Sequence, residues 1–176
     1  FEKAIKIKPN FAMAYLNLGR AYQDLGNKIK ALEYFQESVK IQPNFAEVYN
    51  NMGLVFFDLR KFDEALLNYK KAIKLNPSYE KTYNNLANLL NHLGKYDEAT
   101  SIFHQAIKIK PDYAVAYSNL LFNLNYKINF DFNEYLLEAK KFRLNCETIK
   151  KKLNFQYQFE KKPKKLRIGL VSADFG

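Results

Sequence analysis

Along most of the chain, apolar and aromatic residues fall three or four positions apart, the spacing of one face of an α-helix. Tyr15, Leu18, Gly19 and Tyr22 mark one such face, and Ala31 and Phe35 mark a second after a short polar break. The same two-part pattern returns 34 residues later as Tyr49, Met52, Gly53 and Phe56 followed by Ala65, Tyr69 and Ala72. It returns again as Tyr83, Leu86, Ala87 and Leu90 followed by Ala99, Phe103 and Ala106. Pro9, Pro43, Pro77 and Pro111 keep the same period, so four of the five prolines stand between units, where no interior helical hydrogen bond is lost. The pattern predicts an all-α array of helical hairpins. Gly19, Gly53 and Ala87 are small enough to let the two helices of a hairpin approach closely. Asp63-Glu64 and Asp97-Glu98 put negative charge at the start of second helices, where the helix dipole favours it. Gly26 and Gly94 fall in the turn between helices, where positive φ is expected; Arg60 holds that place in the middle unit, at a small cost.

The period divides residues 1–126 into a partial unit (1–11), complete units (12–45, 46–79, 80–113) and the start of a fourth (114–126). Phe1 and Ala4 fall on second-helix positions of an earlier unit, and no polar capping helix precedes them. The expectation is a piece of a longer array whose uncapped end can self-associate. After Tyr117 and Leu120 the fourth unit departs from the pattern, with Asn133, Leu137 and Lys140 where Ala, Phe and Ala are due. Phe132, Tyr135, Leu136, Ala139 and Phe142 still predict a helix over Phe132–Glu147. It lies in a 127–163 segment that reads as a transition helix and basic linker. Residues 164–176 read as a short strand, Leu166–Val171, that opens an α/β lobe.

The composition supports a packed fold: 48% of the 176 residues are hydrophobic and 16% aromatic. The single Cys146 excludes an intrachain disulfide, and no apolar run is long enough to span a membrane. The first residues lack the features of a signal peptide, so a cytoplasmic setting is expected. The net charge of +10 raises the question of nucleic acid. Residues 1–126 carry 16 Lys/Arg against 12 Asp/Glu, whereas 127–170 carry 12 against 5, so the excess sits in the tail. Lys outnumbers Arg 24 to 4, which argues against bidentate base reading and favours a solvated basic linker. His92 and His104 lack companions at metal-ligand spacing, Cys146 lacks a base to make it a nucleophile, and no glycine-rich phosphate loop occurs.

One row of residues exceeds what the fold pattern needs. Asn17, Asn51, Asn85 and Asn119 also recur every 34 residues, two positions after the aromatic of each first helix. A carboxamide offers one acceptor and two donors, so a stacked row of them can pair with the C=O and N–H groups of an extended polypeptide. The rival reading is structural, with each amide bonding a neighbouring helix. Asn50 and Asn84 stand beside two members of the row and add polar lining in those units.

The unit, aromatic-x2-Leu-Gly-x2-Tyr…Ala-x3-Phe…Pro, resembles the tetratricopeptide repeat, a 34-residue helix–turn–helix. Two further segments narrow the likeness: Ser118-Asn119-Leu120-Leu121-Phe122-Asn123-Leu124-Asn125-Tyr126 and Leu166-Arg167-Ile168-Gly169-Leu170-Val171-Ser172-Ala173-Asp174-Phe175. With the asparagine row, they resemble the protein O-linked N-acetylglucosamine transferases of the Spindly-type branch. The resemblance implies a right-handed tetratricopeptide superhelix in which Asn17, Asn51, Asn85 and Asn119 bind acceptor polypeptide. It also implies a parent enzyme that moves a sugar from UDP-GlcNAc, or a GDP-sugar, to Ser/Thr hydroxyls. The segment to Gly176 would then hold only the first strand of the catalytic domain, with no catalytic residue, cofactor or metal of its own. The alternative is a non-catalytic scaffold that binds proteins through the same groove.

Overall fold

The computed structural model describes residues 2–127 and 131–152, and every element among them is helical. They are α1 (Glu2–Ile7), α2 (Ala12–Asp24), α3 (Lys28–Ile41), α4 (Ala46–Asp58), α5 (Phe62–Leu75), α6 (Glu80–His92), α7 (Tyr96–Ile109), α8 (Ala114–Leu124) and α9 (Phe132–Lys152). The strand expected at 164–176 lies outside the described residues. No described helix is long and apolar enough to cross a membrane.

Three tight hairpins, α2–α3, α4–α5 and α6–α7, carry the core. A Cβ added to Gly19 would lie 2.5 Å from the Phe35 ring, and one added to Gly53 would lie 2.5 Å from the Tyr69 ring. The helices therefore touch backbone to ring, closer than any side chain would allow. In the third hairpin Ala87 and Phe103 occupy the same places, both fully buried. Each hairpin turns through a left-handed residue: Gly26 at φ 77°, Gly94 at 75° and Arg60 at 59°. The next residue donates its backbone N–H across the helix end, from Asn27 to Tyr22 O (2.8 Å), Lys61 to Phe56 O (2.9 Å) and Lys95 to Leu90 O (2.9 Å). This is the Schellman closure, and it needs a residue that tolerates positive φ.

Curvature follows from which helices meet. The first helices touch one another in series, α2 to α4, α4 to α6 and α6 to α8, while no contact joins α3 to α5 or α5 to α7. The first helices thus form the inner face of an α-solenoid and the second helices are splayed on the outer one.

The last hairpin is irregular. α8 has 11 residues where α4 and α6 have 13, and α9 starts two residues later than the period would place it. Its packed face accordingly rotates. Tyr135, Ala139 and Phe142 are half-buried as expected, but Phe132 and Leu136 remain exposed, and the helix continues past Glu147 to Lys152. Phe142 stacks on Tyr117 at 5.5 Å, and the buried Glu138 accepts from Lys141 Nζ at 2.7 Å and faces His104 Nε2 at 3.5 Å. Lys127 pairs with both Asp97 and Glu134, tying α7 to α9. Asn123 is fully buried and donates to Tyr96 O and Thr100 Oγ1, at positions held one unit earlier by Leu89 and Leu66.

Two substitutions test this account with opposite signs. Arg60→Gly is expected to raise stability by about 1 kcal/mol, because a side chain at positive φ costs roughly 1–2 kcal/mol. Gly53→Ala is expected to lower it by about 1–3 kcal/mol through the forced displacement of Tyr69. Urea unfolding of the two variants beside the parent measures both.

Candidate functional site

The four asparagines of the row sit at one position on each first helix: Asn17 on α2, Asn51 on α4, Asn85 on α6 and Asn119 on α8. Three are half-buried on the inner face and Asn51 is buried. Two of them bond across to the preceding unit. Asn85 Nδ2 donates to Asn50 Oδ1 at 2.9 Å, and Asn119 Nδ2 donates to Asn84 Oδ1 at 3.0 Å. Asn50 and Asn84 are 3% and 4% exposed, so they do not line the groove as their sequence position suggested. They act instead as buried brackets that orient the next unit's amide. Asn50 Nδ2 in turn approaches Asn51 Oδ1 at 3.4 Å.

The bracket is missing at the start of the row. The residue equivalent to Asn50 in the first complete unit is Leu16, which accepts no hydrogen bond from a side chain, and Asn51 Nδ2 is buried without a partner among the described residues. Asn17 has no hydrogen-bond partner among the described residues either. Asn85 and Asn119 each spend one N–H on packing and keep a carbonyl oxygen and a second N–H that no described residue engages. The two readings of the row are therefore compatible at the same amide.

Around the row the inner face is mixed in character. Arg20 Nη1 meets Glu47 Oε1 at 3.1 Å, joining α2 to α4. Burial, and then the Glu47 charge, push the Tyr79 phenol up to about 12, so it stays a neutral O–H at physiological pH. At the turn edge Phe57 and Phe62 flank His92, with ring centroids 5.5 and 4.9 Å away, and Tyr126 stacks on Tyr96 at 6.0 Å. His92 is thus part of an aromatic cluster and His104 an ion-pair partner of Glu138. Cys146 is exposed. Among the described residues no three His, Cys, Asp or Glu side chains are grouped to hold a metal ion.

Fold and site together define an α-solenoid of helical hairpins with a carboxamide-lined inner face. The chain belongs to the tetratricopeptide-repeat family, whose model matches residues 12–45, 46–79 and 80–113, more than half of its length. Among solved structures it is similar to the MamA protein, with 26% identity and a TM-score of 0.72 over 90% of this chain and 84% of that one. It shares its fold with a mutant O-GlcNAc transferase of Thermobaculum terrenum (22% identity, TM-score 0.69, 76% of this chain), of which it spans 26%. The first tetratricopeptide domain of Spaghetti (RPAP3), solved bound to an HSP90 peptide, is similar at 23% identity and a TM-score of 0.62 over 65% of this chain and 93% of that one. No curated protein matches the chain significantly.

Asn84→Leu copies the first unit and leaves the Asn119 donor without its acceptor. The expected loss is about 1–3 kcal/mol, the penalty of an unmade buried hydrogen bond, despite the added apolar surface. Asn17→Ala breaks no packing bond and should leave the unfolding midpoint unchanged. Denaturant curves of both variants decide the point.

Proposed function

We propose that the array is a protein-interaction module that holds extended polypeptide segments along its inner face. One observation carries this reading: Asn85 and Asn119 are fixed by a single N–H each and present the rest of the amide, unpaired, in register along the first helices. An acceptor and a donor repeated at each unit match the alternating C=O and N–H of an extended backbone. Such a groove grips main chain and is permissive of side chains. Binding of a peptide by the RPAP3 domain agrees with this use of the fold.

The test is fluorescence anisotropy with a set of unrelated, unstructured peptides. Asn17→Ala is expected to weaken every peptide by a similar factor, about 2- to 12-fold for one lost hydrogen bond of 0.5–1.5 kcal/mol, at an unchanged melting temperature. If Asn17→Ala and Asn85→Ala bind the peptides as the parent does while Asn85→Ala melts earlier, the row serves packing alone.

A second reading adds catalysis in the parent protein, with this array docking acceptors for a protein O-glycosyltransferase. What favours it is the pair of segments Ser118–Tyr126 and Leu166–Phe175 in one chain with the asparagine row, together with the fold shared with the Thermobaculum terrenum transferase. A cytoplasmic setting belongs to the same reading. The full-length parent, incubated with protein acceptors and labelled UDP-GlcNAc or GDP-fucose, is expected to label Ser/Thr from one donor. A folded parent that transfers from neither leaves the non-catalytic scaffold.

A further inference from the structure

On the outer side of the array, between α5 and α7, the structure holds a cavity of about 340 Å³. Its apolar lining comes from three helices: Leu66 of α5, Leu86 and Leu90 of α6, and Ile102 of α7. The reason for the space is local. Leu90 stands where the two preceding units carry rings, Tyr22 and Phe56. Tyr22 stacks on Tyr34 at 5.2 Å and Phe56 packs into the core, so those units fill the position. A leucine is shorter than either ring, and α5 and α7 do not touch, so Leu66 and Ile102 flank the space from either side without meeting across it.

The rim carries charge as well as exposure. Lys70 lines the cavity and makes no ion pair with any described residue, whereas Lys95 is paired with Glu98 at 3.4 Å. An apolar lining with one uncompensated ammonium group matches one kind of occupant. Cavities of roughly 300–1,000 Å³ with a few placed polar groups are the usual dimensions of small-molecule sites. We propose that this cavity is a binding site for a small amphipathic anion, whose apolar body rests on Leu66, Leu90 and Ile102 and whose head pairs with Lys70. None of the four row asparagines lines the site, so it stands or falls independently of polypeptide binding there.

Titration of the chain with anilinonaphthalene sulfonate, an aromatic anion that fluoresces on apolar surfaces, tests the assignment. Saturable binding with one dye per chain is expected. Leu90→Phe introduces a residue the preceding unit already accommodates, and Ser101→Trp covers the rim from an exposed helical position. Each should weaken the dye by about tenfold or more while far-UV circular dichroism and melting stay as in the parent. Lys70→Glu should weaken the sulfonate dye but leave the uncharged N-phenylnaphthylamine bound as before. Competition by decanoate or by a short peptide ending in a free leucine carboxylate identifies the source of the anion, a free amphiphile or a chain terminus. If both filled variants bind dye like the parent, or neither competitor displaces it, the proposal is wrong. Should Leu90→Phe fail to fold, Ser101→Trp decides alone.

Discussion

An aromatic ring seated on a residue without a side chain closes each of the first two hairpins, and the rest of the array depends on that contact. Phe35 on Gly19 and Tyr69 on Gly53 bring two helices to a separation that a Cβ would forbid. Close packing in an interior leaves no slack to absorb a change there. With the angle of each hairpin fixed, the inner position of every first helix is fixed too, and a residue type repeated every 34 positions becomes a row in space. Burial, aided by the nearby Asp58 charge, pushes the Tyr69 phenol far up, so the ring remains neutral where it seals the second hairpin.

The link between successive hairpins has a different character. Apolar side chains supply most of it, but Asn50 and Asn84 add one directed bond each to the next unit. A buried amide with no partner is costly, whereas a buried amide in a bond is roughly neutral and orients its neighbour. One carboxamide can therefore fix the packing of two units and still keep polar groups unspent. The bond consumes a single N–H of Asn85 or Asn119 and sets the orientation of a carboxamide whose remaining polar groups no described residue engages.

Much of this was legible from the residues. The 34-residue period, the small residues opposite rings and the turn positions at Gly26 and Gly94 are local signals, and each hairpin formed where they indicated. The roles of Asn50 and Asn51 were not separable, because neighbours on a helix point about 100° apart and only inter-unit packing decides which one is buried. The pairing of Asn123 with Thr100 was hidden for a related reason: a polar residue on an otherwise apolar face is intelligible only once its partner, 23 residues away, is known. The face of α9 was misjudged at Phe132 and Leu136 because α8 ends early, a shift with no marker in the apolar pattern. The strand that followed lies outside the described residues, and the basic linker is described only as far as Lys152, where it continues α9.

In a repeat array the departures carry more information than the agreements, because each unit is a control for the next. Leu16 in place of the bracket asparagine leaves Asn51 Nδ2 buried without a partner among the described residues. Arg60 in place of glycine holds a long side chain at positive φ. Leu90 in place of a ring leaves a cavity between two helices that do not meet. In all three cases the backbone is preserved and only the local chemistry changes, as expected when each unit contacts only its neighbours. A nearest-neighbour architecture confines the cost of a substitution to one joint. Function can then collect at such joints, inside the groove or outside it, without endangering the fold that presents it.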